Sequence, residues 1–187
     1  MPKSPVKGLI AILRLPYWLM TGGLSLLTAL ALTKAELSIE TALLTFFSMA
    51  LITSAGFSIN DYYDRESDAV IKPKRPIPSG LLTLRQVVAI SAILFAVGLA
   101  LAVWVNMLSL LILAVDSILL VLYSALVKRK SGFAANILVG LLTGTAFLYG
   151  AAVTLGSNVA SPLAPNFFKS LSLYPIAFGT IGGNVLR

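Results

Sequence analysis

Six apolar stretches, each long enough to cross a bilayer, constrain the fold of this chain more than any other feature. They cover residues 16–33, 41–59, 82–105, 108–127, 133–156 and 166–185. Helices of about 20 apolar residues span the hydrocarbon core, and a lone helix satisfies its own backbone in lipid. The chain is 58% hydrophobic and 11% charged, whereas soluble domains carry about 25% charged residues. The sequence therefore predicts an all-α, polytopic transmembrane helical bundle of about six helices, in a single domain over residues 1–187.

The basic residues predict the orientation of this bundle. If the N-terminus is cytoplasmic, twelve of the 14 Lys and Arg residues lie on the cytoplasmic side, as the positive-inside rule requires. The twelve are Lys3, Lys7, Arg14, Arg65, Lys72, Lys74, Arg75, Arg85, Lys128, Arg129, Lys130 and Arg187, and the two outside are Lys34 and Lys169. We expect an integral protein of the cell membrane that contacts membrane lipids and no nucleic acid.

The run NDYYDRESD at residues 60–68 directly follows the second apolar stretch. If the helix continues, Asn60, Asp64 and Asp68 lie on one face, with Asp61 beside them. Carboxylates stacked in this way repel one another by about 0.2–0.5 kcal/mol per pair, which a bound cation would relieve. Oxygen ligands in a chain without His or Cys favour Mg²⁺, usually with a phosphate on its other side. The alternative is a polar helix cap that faces solvent.

Two basic segments fall on the same membrane face as this acidic run. In Lys72–Gly80, three prolines forbid a regular helix and would hold Lys72, Lys74 and Arg75 over the helix end. The second segment, from Tyr123 to Lys130, ends the fourth apolar stretch. Its basic residues are equally typical of topology signals and lipid anchors, and Tyr123 alone is typical of an interfacial aromatic.

Four further positions are candidates for a ligand site. Asp116 is an acid near the middle of a predicted span, which favours either a cavity role or a hydrogen bond to a neighbouring Ser or Thr. Arg14 would reach the interface or point into the site. Asn136 could bond a polar ligand, whereas Gly140 and Gly144, four residues apart, favour helix packing.

The acidic run and the following Arg75-Pro76-Ile77-Pro78-Ser79-Gly80 resemble the first signature of the UbiA superfamily of intramembrane prenyltransferases. The pattern N-D-x-x-D-x-x-x-D matches at every position, and Tyr123 to Lys128 is similar to that family's tyrosine-lysine segment. Within the family, the first run is most similar to archaeal enzymes that make digeranylgeranylglyceryl phosphate.

The resemblance implies Mg²⁺-dependent transfer of an isoprenyl group from a prenyl diphosphate such as geranylgeranyl diphosphate. The acceptor would be a membrane-associated lipid such as geranylgeranylglyceryl phosphate, or an aromatic quinone precursor. Asp64 and Asp68 would be catalytic, and the metal ligands would be Asn60, Asp61, Asp64 and Asp68. The expected substrate-binding residues are Arg14, Lys72, Lys74, Arg75, Asp116, Tyr123, Lys128 and Asn136.

The family fold has nine helices and a second aspartate-rich motif, which this sequence lacks. We therefore expect a chain truncated before that motif and inactive alone. Two other classes stay open. A transporter or channel would explain Asp116 but not the acids and bases on one face. A phospholipid head-group transferase would require an Asp-Gly-x-x-Ala-Arg segment, which is absent from the sequence.

Overall fold

The computed structural model of the protein describes residues 5–34, 36–128 and 132–155. These residues form seven α-helices and no strand, as expected of an all-α bundle. The helices are α1 Pro5–Leu13, α2 Pro16–Leu32, α3 Ile39–Tyr63, α4 Arg65–Ile71, α5 Leu84–Val105, α6 Met107–Leu122, which continues as a π-helical turn over Tyr123–Val127, and α7 Gly132–Leu155. The first five predicted spans correspond to α2, α3, α5, α6 with its π-turn, and α7. The sixth, 166–185, lies outside the described residues.

The N-terminal span differs from its prediction because it is two helices rather than one. The segment that begins at Val6 meets α2 at an angle of 41°. Arg14, at the bend, has a φ of 50°, which lies in the left-handed region that ends a right-handed helix. Pro16, at the start of α2, has no N–H to donate to the preceding turn. Counting this bent pair as one span, five helical segments in the described part of the chain are long and apolar enough to cross a membrane.

Side-chain caps define where three of the long helices begin. Ser38 accepts the backbone N–H of Thr41 at the start of α3. At α5, Thr83 and Gln86 form a reciprocal capping box, which satisfies two otherwise orphaned donors. Asn106 caps α6 by accepting the N–H of Ser109, and its amide also donates to the carbonyl of Ala152 on α7 at 2.9 Å. The short α5–α6 turn is therefore fastened to a third helix.

Helix α3 is at the centre of the bundle and packs against α1, α2, α5, α6 and α7. Two glycines permit close approach at the helix seams. A Cβ at Gly22 would lie 2.6 Å from the carbonyl oxygen of Phe46 on α3, and one at Gly150 would lie 2.3 Å from that of Ser25 on α2. Small residues allow such contacts between membrane helices. Gly140 and Gly144 are also buried in α7.

Hydroxyl groups join the same helices inside the bundle. Ser25 Oγ donates to the carbonyl of Ala146 at 2.9 Å, and Ser48 Oγ and the Tyr149 hydroxyl are 2.5 Å apart. Both residues of the second pair are buried. The outward surface instead carries exposed Leu, Val, Ile and Trp side chains, as expected of a face in contact with lipid. Polar contacts inside and apolar groups outside support an integral membrane protein.

Candidate active site

A cavity of about 350 Å³ lies between α2, α3, α6 and α7. It is lined by Arg14, Tyr17, Met20, Thr21, Met49, Thr53, Gly56, Phe57, Asn60, Asp116, Leu120, Tyr123, Ser124, Val139, Leu142 and Thr143. One end has charged and amide groups, contributed by Arg14 and Asn60, and most of the wall is apolar. Such a site suits a ligand with a polar head and a hydrocarbon chain.

The acidic run sits where α3 breaks and α4 begins. The backbone N–H of Asp64 donates to the carbonyl of Asn60 at 2.9 Å, and that of Asp68 donates to Asp64 at 2.8 Å. The chain therefore stays nearly helical through the run, with Asp64 as a single non-helical residue at the junction. The acidic side chains nevertheless do not form one common stripe. They divide into two groups, each held by its own basic residues.

The first group consists of Asn60, Asp64 and Lys128. The amide of Asn60 donates to Asp64 Oδ2 at 2.9 Å. The Lys128 ammonium, from the end of the π-turn, pairs with that same carboxylate oxygen and lies 3.4 Å from Asn60 Oδ1. Two oxygen atoms from α3 and its junction thus converge on one cation.

The second group joins Asp61 and Asp68 to two arginines. Arg75 Nη1 donates to Asp61 Oδ1 at 2.6 Å and to Asp68 Oδ2 at 2.7 Å. Arg14 Nη2 donates to the same Asp61 oxygen at 2.6 Å, and its guanidinium lies 4.5 Å from the centre of the Phe57 ring. Asp61 and Asp68 are buried, with relative exposures of 3% and 4%. Asp61 therefore connects the α1–α2 bend, α3 and the proline-rich loop.

Together these groups form a charge-balanced cluster of three aspartates and three basic residues. Its charged members are Asp61, Asp64, Asp68, Arg14, Arg75 and Lys128. Opposite charges at this range stabilise one another strongly where water is partly excluded. The division into two groups therefore relieves the repulsion expected of stacked carboxylates. Across the described ranges, no three acidic residues gather closely enough to hold a metal ion.

A π-helical turn presents the end of α6 to the cavity. In this turn the N–H of Lys128 bonds to the carbonyl of Tyr123, five residues earlier. Tyr123 and Ser124 line the cavity, while Lys128 reaches Asp64. Single π-turns occur often at functional sites because the extra residue redirects side chains.

Asp116 lies in the cavity wall, and it is also hydrogen-bonded to a neighbouring hydroxyl. Thr145 Oγ1, from α7, donates to Asp116 Oδ1 at 2.7 Å. Asp116 has a relative exposure of 3%. Asp116 therefore combines a hydrogen bond to a neighbouring Thr with a place in the cavity wall, and its role in ligand binding stays a prediction.

The remaining predicted residues lie apart from the cavity. Lys72 and Lys74 are exposed on the loop, and among the described residues neither forms an ion pair. Asn136 is half-buried near the start of α7 and does not belong to the described lining of the cavity. Arg129 and Lys130 lie outside the described residues.

Several residues that line the cavity were not predicted from the sequence. On α3, Met49, Thr53, Gly56 and Phe57 precede Asn60 at helical spacing, so extending the Asn60 face backwards would have found them. Tyr17 packs against Phe57 in a tilted arrangement, with ring centres 4.6 Å apart. Its contribution depends on the bend after Arg14, for which Pro16 is the local signal in the sequence.

Comparisons with known proteins agree with this geometry. The model of the UbiA prenyltransferase family matches residues 19–182. Digeranylgeranylglyceryl phosphate synthase of Methanothrix thermoacetophila is 37% identical over 156 residues, which are 83% of this chain and 58% of that protein. The protein of the same name in Methanococcoides burtonii is 44% identical over 118 residues, 63% of this chain and 42% of that protein. The chain thus spans about half the length of these curated relatives.

Two solved structures are similar to the whole helical arrangement. The first is a structure described as giving structural and mechanistic insights into the biosynthesis of digeranylgeranylglyceryl phosphate synthase in membranes. The superposition has a TM-score of 0.83 at 28% sequence identity. It covers 95% of this chain and 60% of the chain in that structure. The other is the apo structure of a UbiA homologue from Aeropyrum pernix K1. It gives a TM-score of 0.77 at 22% identity, covers 90% of this chain and 62% of that one, and supports the fold alone.

Proposed function

Because the chain belongs to the UbiA prenyltransferase family, we propose that the protein transfers an isoprenyl group from a prenyl diphosphate to a membrane-associated acceptor. Geranylgeranyl diphosphate is the proposed donor and geranylgeranylglyceryl phosphate the proposed acceptor, because relatives 36–44% identical are named digeranylgeranylglyceryl phosphate synthase. An aromatic quinone precursor is the second candidate acceptor. The observation that carries the proposal is the charge-balanced cluster at the polar end of an apolar cavity.

The basic side chains of the cluster suit a diphosphate. Arg14 and Arg75 offer planar guanidinium groups that can form paired hydrogen bonds with phosphate oxygens, while Lys128 supplies a point charge. Tyr123, at the same end of the cavity, adds a hydroxyl. Lys72 and Lys74 are exposed on the adjacent loop, and we propose that they bind the diphosphate less directly. We propose that Arg14, Arg75 and Lys128 bind the donor first.

The acidic side chains partly fit Mg²⁺. Asn60 Oδ1 and Asp64 Oδ2 already converge on the Lys128 ammonium, and oxygen ligands are those that Mg²⁺ prefers. We propose that these two residues and Asp68 hold the metal. Asp61 is committed to two guanidinium groups, so its proposed part is to position them. Bound Mg²⁺ would neutralise the negative charge that develops on the departing diphosphate.

The apolar wall of the cavity protects the reacting carbon. Met20, Met49, Leu120 and Leu142 surround the space beyond the charged end. Exclusion of water from such a site prevents hydrolysis of a reactive allylic cation. Phe57 also lines the cavity, and its ring lies against the Arg14 guanidinium.

The proposed orientation follows from the charge bias and not from the fold. With the N-terminus in the cytoplasm, the charge-balanced cluster and both basic segments face the cytoplasm. A cell-membrane location is proposed on the same grounds. Labelling of single cysteines introduced at Lys74 and Lys34, with a reagent that does not cross membranes, tests the assignment. Outside labelling at residue 74 and protection at residue 34 would contradict it.

The central test replaces one carboxylate of the first group. In the natural full-length protein, Asp64→Ala should lower prenyl transfer at least about 100-fold, the scale on which loss of one electrostatic catalytic group is felt. The matched control is Glu66→Ala, because Glu66 belongs to the same acidic run but is 85% exposed. Transfer is measured with radiolabelled geranylgeranyl diphosphate with and without a chelator. Normal turnover in Asp64→Ala, or turnover indifferent to the chelator, would refute the proposal.

A further inference from the structure

Asp116 lies two helical turns before Tyr123 on the wall of the cavity. It is seven residues before Tyr123, which corresponds to a rise of about 10.5 Å along the helix. Both residues face the same cavity. An acid near the middle of a membrane span costs about 2.5–3.5 kcal/mol on insertion scales. A purely structural hydrogen bond is a weak reason to retain it there.

The hydrogen bonding of Asp116 leaves one carboxylate oxygen available. Thr145 Oγ1 donates to Oδ1 at 2.7 Å and lies 2.6 Å from the carbonyl oxygen of Leu142. Among the described residues, Oδ2 has no hydrogen-bond partner. Because the residue lines the cavity, this oxygen can accept a proton donor from a ligand. Thr145 thus fixes the carboxylate in one orientation and leaves its second oxygen free.

The rise between Tyr123 and Asp116 leaves room for an acceptor hydroxyl to attack the donor carbon. A nucleophile approaches the donor carbon opposite the leaving oxygen, at about 3–3.5 Å in a near-attack arrangement. The bond from the donor carbon to the leaving oxygen adds about 1.5 Å. The hydrogen bond from the nucleophile to its base adds about 2.7 Å. These lengths add to about 7–8 Å, which fits within the rise between Tyr123 and Asp116 once side-chain extension is allowed.

We propose that Asp116, oriented by Thr145, binds the hydroxyl group of an alcohol acceptor and removes its proton. This inference rests on the proposed prenyl transfer and specifies the acceptor as a lipid alcohol rather than an aromatic carbon. The acceptor O–H bond breaks and its proton passes to the Asp116 carboxylate. The freed electron pair forms an ether bond to the donor carbon, and the carbon–oxygen bond to diphosphate breaks with its pair remaining on diphosphate.

The test uses Asp116→Asn in the natural full-length protein reconstituted in lipid nanodiscs with Mg²⁺. Asparagine keeps the shape and the oxygen that accepts from Thr145, and it removes only the base. Transfer to geranylgeranylglyceryl phosphate should fall about 100-fold, as expected for loss of a general base. The dissociation constant of unreactive geranylgeranyl thiodiphosphate, measured by calorimetry, should stay within about threefold, because that ligand's head contacts the charge-balanced cluster.

A conservative replacement separates chemistry from packing. Asp116→Glu retains a carboxylate displaced by one methylene and should recover part of the transfer rate, with donor binding unchanged. Transfer by Asp116→Asn within about threefold of the wild type would overturn the inference, since a missing base is felt at about 100-fold. Equal losses in both variants together with weaker donor binding would also overturn it and assign Asp116 a packing role.

Failure of the proposed function and failure of this inference give different experimental results. If the wild-type protein neither binds the thiodiphosphate nor transfers the prenyl group, the proposed function itself fails. If Asp116→Asn does not fold, Thr145→Val decides. It leaves the carboxylate in place but frees its orientation, so transfer should fall about tenfold with unchanged donor binding. Unchanged transfer in Thr145→Val would then overturn the inference.

Discussion

Neutralising Asp61 should destabilise the bundle far more than neutralising a neighbouring acid in the same run. Removal of one partner from a fully buried ion pair costs about 3–5 kcal/mol, because the other charge is stranded. The two arginines that would lose their partner are not fully buried, since the side chains of Arg14 and Arg75 have relative exposures of 18% and 19%. Arg75 would also retain its ion pair with Asp68. We therefore expect Asp61→Asn to lower the free energy of unfolding by about 2 kcal/mol.

The matched control is Glu66→Gln, which removes the same charge five residues further along. Glu66 is 85% exposed and, among the described residues, pairs with its neighbour Arg65 at 3.2 Å, and such surface pairs contribute about 0–1 kcal/mol. Denaturation in detergent can be followed by the fluorescence of Trp18, whose indole N–H donates to Ser54 on α3 at 2.6 Å. Unfolding free energies that agree within about 0.5 kcal/mol for both variants would refute the reasoning, because that is the surface-pair range.

Two further predictions concern the helix seams and the metal ligands. Gly150→Ala should lower stability by about 1–3 kcal/mol through overpacking, because its Cβ would lie 2.3 Å from the Ser25 carbonyl oxygen. Gly23→Ala, whose Cβ would have no described atom of another helix within 4 Å, should gain up to about 1 kcal/mol of helix propensity, and unfolding midpoints that shift in the same direction would contradict the packing. Lys128→Gln should tighten Mg²⁺ binding in the absence of donor and weaken the thiodiphosphate about tenfold, the size of one lost charge-assisted hydrogen bond. Calorimetry that finds both affinities changed in the same direction would show that Lys128 does not occupy the cation position.

Much of the fold could be predicted because a bilayer leaves the backbone few choices. Apolar runs of spanning length must be helices, so α3, α5 and α7 follow from the sequence within a few residues. The helix α1 could not be predicted in the same way, since its nine residues are too few to span. Its separation from α2 depends on Pro16 and on the left-handed φ of Arg14, and the sequence does not specify that φ.

The candidate site was predictable in composition but not in pairing. The acids and bases were expected on one membrane face, yet spacing along α3 grouped Asp68 with Asn60 and Asp64. The structure instead groups Asp68 with Asp61, because Arg75 folds back from the proline-rich loop and a single nitrogen contacts both carboxylates. Sequence spacing describes positions along one helix and does not predict which basic residue, distant in the sequence, will pair with each acid. The use of Asp61 as a metal ligand stays a prediction that competes with its observed partners.

The equal numbers of opposite charges in the charge-balanced cluster have a consequence for selectivity. A divalent ion held by Asn60, Asp64 and Asp68 without a donor would take anionic partners from Lys128 and Arg75. A free polyphosphate bound to the three basic residues would take cationic partners from the three aspartates. A complex of the metal ion with a diphosphate replaces both kinds of partner at once, so we expect the cluster to discriminate against either ion alone.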